Sequence, residues 1–163
     1  MAGHHWRLAT SKLEIQNLAS GNPDIVAIEA AANVGVLVNQ VSVSFSEEGS
    51  DTGNALVQLC FITDDGTGGS VLTFSSVGGD SETFQVTAQE HNGTVPGDGW
   101  SGAQPAGAVP FESRSWPIDS QASCQWDFVP PYEIKGGDGL LVRVTGAAAV
   151  ADTYVVVTLT GEE

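Results

Sequence analysis

Alternation with a period of two residues constrains this chain most. In its Val-rich stretches apolar and polar residues take turns, and Gly, Asp or Ser breaks each stretch. Successive side chains of a β-strand point to opposite faces, so such stretches read as strands with one face in a core. Candidate strands fall at 13–18, 24–31, 34–46, 55–63, 70–76, 82–90, 122–128, 139–146 and 152–160. Turn chemistry separates them, as in Ser20-Gly21-Asn22-Pro23, Asp64-Asp65-Gly66 and Gly136-Gly137-Asp138-Gly139. No stretch keeps helical periodicity over three turns. The pattern predicts an all-β chain, an antiparallel β-sandwich of about eight to nine strands.

Two strands carry finer information. Val34, Val36 and Val38 share one face, and Val41, Val43 and Phe45 continue it after a slip of one residue at Asn39-Gln40. A slip of that kind is what a β-bulge produces, and a long bulged strand can bend to serve both sheets. In the last strand Val155, Val156 and Val157 are consecutive. Apolar residues on both faces predict burial on both, inside the sandwich or under a neighbouring subunit.

The 163 residues suit one domain large enough for a real core. With 41% hydrophobic and 15% charged residues and 20 glycines, the chain reads as folded and rich in turns. Its formal charge of −15 opposes nucleic acid and anionic lipid, so neither is an expected partner. No apolar run approaches the roughly 20 residues of a membrane helix, and no signal-peptide core is apparent. The charge is uneven. Arg7 and Lys12 precede the first acid, Glu14. Residues 1–12 are therefore expected to form a basic N-terminal arm ahead of a sandwich domain at 13–163, either frayed or docked on an acidic neighbour. Trp6, Arg7 and Lys12 are its candidate partner contacts.

Residues 92–110, with five glycines and three prolines, read as a long irregular loop. Trp100 in its middle either anchors the loop to the body or inserts into a partner, and is the fourth candidate contact.

No catalytic site converges in the sequence. His91 is the one plausible base outside the arm, and no Gly-x-Ser-x-Gly elbow is present. Cys60 and Cys124 lie in strands that read as buried, as small core residues or at most one bridge. One histidine in the body does not furnish a cupin-like metal site, and no cofactor is expected. Acidic turns at Glu47, Glu48, Asp51 and Asn54 and at Asp64-Asp65-Gly66 offer oxygen ligands for calcium, although Asp also suits turns by itself. The expectation is a protein that is not an enzyme. A glycan-binding module is a further reading, with Trp100, Trp116, Trp126 and Tyr132 as stacking candidates, Trp126 alternating with Cys124 and Phe128 as core.

Three stretches resemble a known group: VSVSFSEEGSDTGNALVQLCFITDDGTGG, WDFVPPYEIKGGDGLLVRVTG and ADTYVVVTLTGEE. They are similar to small β-sandwich proteins encoded beside major capsid genes in tailed bacteriophages. The resemblance implies a jelly-roll-like fold and a decoration or cement role on the outer capsid surface of the virion, after synthesis in the host cytoplasm. It implies a homo-oligomer, a trimer foremost, that bridges neighbouring major capsid protein subunits. Head fibres and tail parts use the same scaffold and are the alternative. The resemblance assigns no functional residue.

Overall fold

Apolar side chains at every second position give several long strands a buried face, and two sheets bury those faces against each other. A computed structural model describes residues 4–14, 24–47, 53–77, 83–92, 100, 103–146 and 153–163. Its strands are β1 (His5–Ala9), β2 (Leu13–Glu14), β3 (Asp24–Ala30), β4 (Val36–Glu47), β5 (Asn54–Ile62), β6 (Ser70–Val71), β7 (Ser75–Ser76), β8 (Val86–Glu90), β9 (Val109–Pro117), β10 (Cys124–Ile134), β11 (Gly139–Gly146) and β12 (Thr153–Glu162). The first sheet runs β10-β4-β12-β1-β7, with β2 also on β12, and the second runs β6-β8-β3-β11-β5-β9. The pairings are antiparallel throughout these sheets. The chain is an all-β antiparallel sandwich. Its main core joins Trp6, Leu8, Val43 and Val157 of the first sheet to Ile28, Leu59, Leu140 and Val142 of the second.

The bulge lies where the alternation slips. On β12, Thr160 faces Gln40 and Gly161 faces Val38, which leaves Asn39 unmatched. On the other side of β4, Asp127 faces Gln40 and Tyr132 faces Val38, so Phe128–Pro131 loop out against the same residue. The bulge does not carry β4 into the second sheet; β4 stays in the first along its length. The crossing expected of β4 occurs instead at 70–76. That candidate strand divides into β6 in the second sheet and β7 in the first. Residues 15–18 of the first candidate strand lie outside the described residues.

The last strand alternates more strictly than its Val run suggests. Val155 and Val157 are buried, while Val156 is half-buried on the outer face. β12 is also interior to its sheet, between β4 and β1, so it offers no edge to a neighbouring subunit.

The described part of the basic N-terminal segment is not a detached arm. His5–Ala9 reads HWRLA, with Trp6 and Leu8 inward and His5, Arg7 and Ala9 outward. Trp6 is fully buried and meets Phe74 edge-on, ring centroids 5.1 Å apart. Gly161 makes room for it, since a Cβ there would overlap the Trp6 ring and the Leu37 carbonyl. Beyond β1, Thr10 N–H donates to the Val157 carbonyl and Val157 N–H donates to Thr10 Oγ1, each at 2.9 Å. Ser11 N–H and Ser11 Oγ both donate to the buried Glu90 carboxylate at 2.6 Å, which ties this segment to the opposite sheet. Two apolar side chains at period two outweigh the two positive charges, whose solvated heads sit comfortably on an outer face.

Removal of residues 1–12 is therefore expected to abolish cooperative unfolding rather than release an intact body. Trp6→Ala is expected to cost about 3–5 kcal/mol, the range for a buried aromatic reduced to a cavity. Urea denaturation followed by circular dichroism checks both; a truncated chain as stable as the parent would restore the arm.

Candidate functional site

The outer face of the second sheet is built around Trp100. The face of β3, β5 and β11 opposite the main core carries Ala27, Cys60, Ile62 and Leu141, which would be an exposed apolar patch. The Trp100 ring covers it and is itself 1% exposed. Its indole N–H points to the Asp24 carbonyl at 3.4 Å. Gly69 supplies the clearance, because a Cβ there would lie 2.5 Å from the ring. Trp100 is thus an anchor and not a probe held out to a partner. Residues 93–99, 101 and 102 of the same segment lie outside the described residues, while Val109 and Pro110 belong to β9.

Beside this patch Arg143 Nε donates to Asp24 Oδ1 at 2.7 Å. The hydrogen bond to Asp24 is the main reason the guanidinium pKa is raised further. Asp24 is buried, so this pair neutralises a charge that would otherwise be costly.

An acidic group closes one end of that face. Carboxylate oxygens of Glu29, Asp64 and Asp65 lie within 4.8 Å of one another. Asp64-Asp65-Gly66 is the turn singled out from the sequence; Glu29 joins it only through the fold. Their contacts are largely internal: Asp65 N–H donates to Glu29 Oε2 at 2.9 Å, Thr87 Oγ1 to Asp65 Oδ2 at 2.8 Å, and Gly66 N–H to Asp64 Oδ1 at 2.7 Å. Burial, and then the charges of Asp65, Asp64 and Asp138, raise the Glu29 pKa against the lowering effect of the Asp65 amide. The other acidic turn has Glu48 and Asp51 outside the described residues.

The remaining sequence candidates separate by depth. Arg7 is exposed on the outer face of the first sheet, opposite Thr160 and Ser75. Lys12 Nζ lies 4.0 Å over the Tyr154 ring. Trp6 is core. His91 is buried just past the end of β8, its main-chain N–H donating to the Ile25 carbonyl. Cys60 and Cys124 are free and buried, on the outer and inner sides of different sheets. Burial raises both thiol pKa values, which keeps them as unreactive thiols at neutral pH.

The sequence suggests a strand at 122–128 on β10 but gives no sign of β9 or of the flank the two form together. These strands are the edges of the two sheets on one side of the sandwich. β9 is exposed from Val109 to Pro117, with Trp116 alone half-buried. Aromatic contacts tie the two edges together. Phe111 stacks on Tyr132 with centroids 4.8 Å apart and planes 8° from parallel. The Arg114 guanidinium lies 4.5 Å over the Trp126 ring and donates to the Gln125 carbonyl. Trp116 Nε1 donates to the Ala122 carbonyl at 3.0 Å. Beside them the bulge of β10 holds Val129 94% exposed between Phe128 and the Pro130-Pro131 pair. Asp127 marks its polar rim, its pKa lowered by hydrogen bonds from Gln40 and then Gln125. The strand expected at 122–128 runs on through Pro130-Pro131 to Ile134, because an edge bulge needs no ladder donor there.

No protein-family profile, curated protein or solved structure matches the chain.

A carboxyl with a raised folded-state pKa binds more protons folded than unfolded above its unfolded value, about 4.3 for Glu. Stability then falls as pH rises through that window. Glu29→Gln keeps an acceptor for the Asp65 amide and removes the charge. The variant is expected to be more stable than the parent at pH 7 and to lose that advantage below about pH 4, as read from thermal midpoints across pH. Gly69→Ala is expected to displace Trp100 and cost about 1–3 kcal/mol through overpacking. A red-shifted, more quenchable tryptophan emission reports the displacement.

Proposed function

We propose that this chain is a non-enzymatic virion structural protein that decorates a bacteriophage capsid and bridges neighbouring capsid subunits. The supporting observation is the apolar bulge at Phe128–Pro131. Val129 projects almost wholly into solvent, the half-exposed Phe111 lies over Tyr132 nearby, and Asp127 and Glu133 flank the bulge. An exposed apolar group held by a stiff edge and rimmed by charge is the anatomy of a contact surface. Reactivity is not needed for that role, and the buried thiols and internally bonded carboxylates suit it.

Strand order supports the jelly-roll part of the resemblance. The long strands form β10-β4-β12-β1 over β3-β11-β5-β9. A long antiparallel hairpin wound on itself into two Greek keys produces this order, with β6, β7 and β8 as an excursion between β5 and β9. A glycan-binding role is less well supported. Of its stacking candidates, Trp100 and Trp126 are buried, Tyr132 is covered by Phe111, and Trp116 is half-buried with its indole N–H given to the Ala122 carbonyl.

The protein is expected in purified virions in fixed ratio to the major capsid protein, measured by quantitative mass spectrometry. Val129→Asp is expected to be lost from them while folding normally. Virions that lack the parent protein overturn the reading, and full occupancy by the variant removes the bulge from it.

A further inference from the structure

The free edge of β9 carries information beyond exposure. Ile118 N–H donates to the Gly53 carbonyl at 3.0 Å. Antiparallel ladders alternate, so Trp116, Arg114 and Glu112 turn their main-chain groups toward β5, opposite Ala55, Val57 and Leu59. Ser113 and Ser115 therefore turn theirs away from the sheet. They present N–H and C=O pairs along an exposed strand, which is a template for another strand.

The charges on this strand identify the occupant. From residue 103 to residue 118 the charged residues are Glu112 and Arg114, one of each sign, in a chain of net charge −15. This strip is locally neutral, so a second copy, equally acidic, meets little repulsion along it. Glu112 and Arg114 also sit symmetrically about Ser113. In an antiparallel pair centred on Ser113, Glu112 of each copy faces Arg114 of the other, and both Glu–Arg contacts form at once. Centring the pair on Glu112 or on Arg114 instead sets like charges face to face, and a slip of one residue reverses the faces of the strand. Pro110 and Pro117 cannot donate, so they bound the usable ladder to the residues between them. The Trp126 ring beneath Arg114 holds that positive charge at the edge. A surface complementary to itself under a two-fold operation is an isologous interface.

We propose that two copies of this chain pair through β9, antiparallel about Ser113, to join their second sheets into one continuous sheet. A two-fold pair differs from the trimer implied by the family resemblance, and it stands independently of the capsid role.

The test uses the full chain in sedimentation-equilibrium runs at micromolar concentration. The parent is expected at twice the 16.8 kDa chain mass. Ser113→Pro removes a donor that faces away from β5 and is expected to give monomer. E112R leaves the Arg114–Trp126 contact in place but faces Arg with Arg, and is expected to weaken pairing about tenfold or more. R114E faces Glu with Glu and has the same expected effect. Mixing the E112R and R114E proteins is expected to restore a dimer of one of each, because both cross-strand contacts become complementary again. Val129→Asp is expected to leave the mass unchanged, so failure of the capsid reading and failure of this pairing are distinguishable. A parent that is monomeric or trimeric throughout, or a dimer indifferent to Ser113→Pro and E112R, overturns the proposal.

Discussion

The first and last strands of the chain are paired, and the first sheet depends on that pair. Between His4 and Glu163 the two N–H···O bonds run both ways at 3.0 Å, and β1 then matches β12 from His5 against Glu162 to Ala9 against Thr158. β12 in turn holds β4 on its other side and takes up β2. The sheet that receives Trp6, Val43 and Val157 is therefore incomplete until β12 has been made. Long-range antiparallel closure of this kind incurs a loop-entropy cost before its contacts form, and a large apolar core has to offset it. The Ser11–Glu90 and Thr10–Val157 bonds fasten the same region to both sheets.

Polar groups inside this framework are used sparingly, and most of them are matched. Asp24 shows the economy best. Its carboxylate receives Arg143, and its carbonyl lies within reach of the Trp100 indole. One residue thus links a neutralised buried charge to the aromatic lid over Ala27, Cys60, Ile62 and Leu141. Loss of the lid would expose that patch, and loss of Arg143 would strand a buried carboxylate. Glu29 is the opposite case, because burial first, and then the neighbouring charges of Asp65 and Asp64, disfavour its ionised form at neutral pH.

The two sides of the sandwich are unequal. On the side of β9 and β10, the sheets are joined by the Phe111–Tyr132 stack and the Arg114–Trp126 contact, while the Trp116 indole bond fastens the turn between them. Aromatic bridges stiffen these edges without consuming all of their hydrogen-bonding capacity or covering Val129. The flank is thereby firm and available, which is the combination that the proposed capsid contact and the proposed self-pairing both need.

Much of the fold was legible in the alternation. β4, β5, β8 and β12 follow it, β3 and the start of β11 show instead as short apolar runs buried on both faces, and the one-residue slip at Asn39-Gln40 is the bulge. β1 was legible too, since Trp6 and Leu8 alternate with His5 and Arg7, but the basic residues drew the reading toward an arm. β9 was not legible, because a strand exposed on both faces has no apolar period to display. The depth of Trp100 was equally hidden: a Trp in a Gly-rich segment looks the same whether it anchors or projects. Local periodicity determined by itself that the chain is an antiparallel β protein, which residues face inward and where the pairing slips, because side-chain direction in a strand is a two-residue property. Tertiary structure alone decided which strands became edges, which tryptophan became a lid and which carboxylates met. Those outcomes depend on neighbours distant in sequence, whose positions no local pattern encodes.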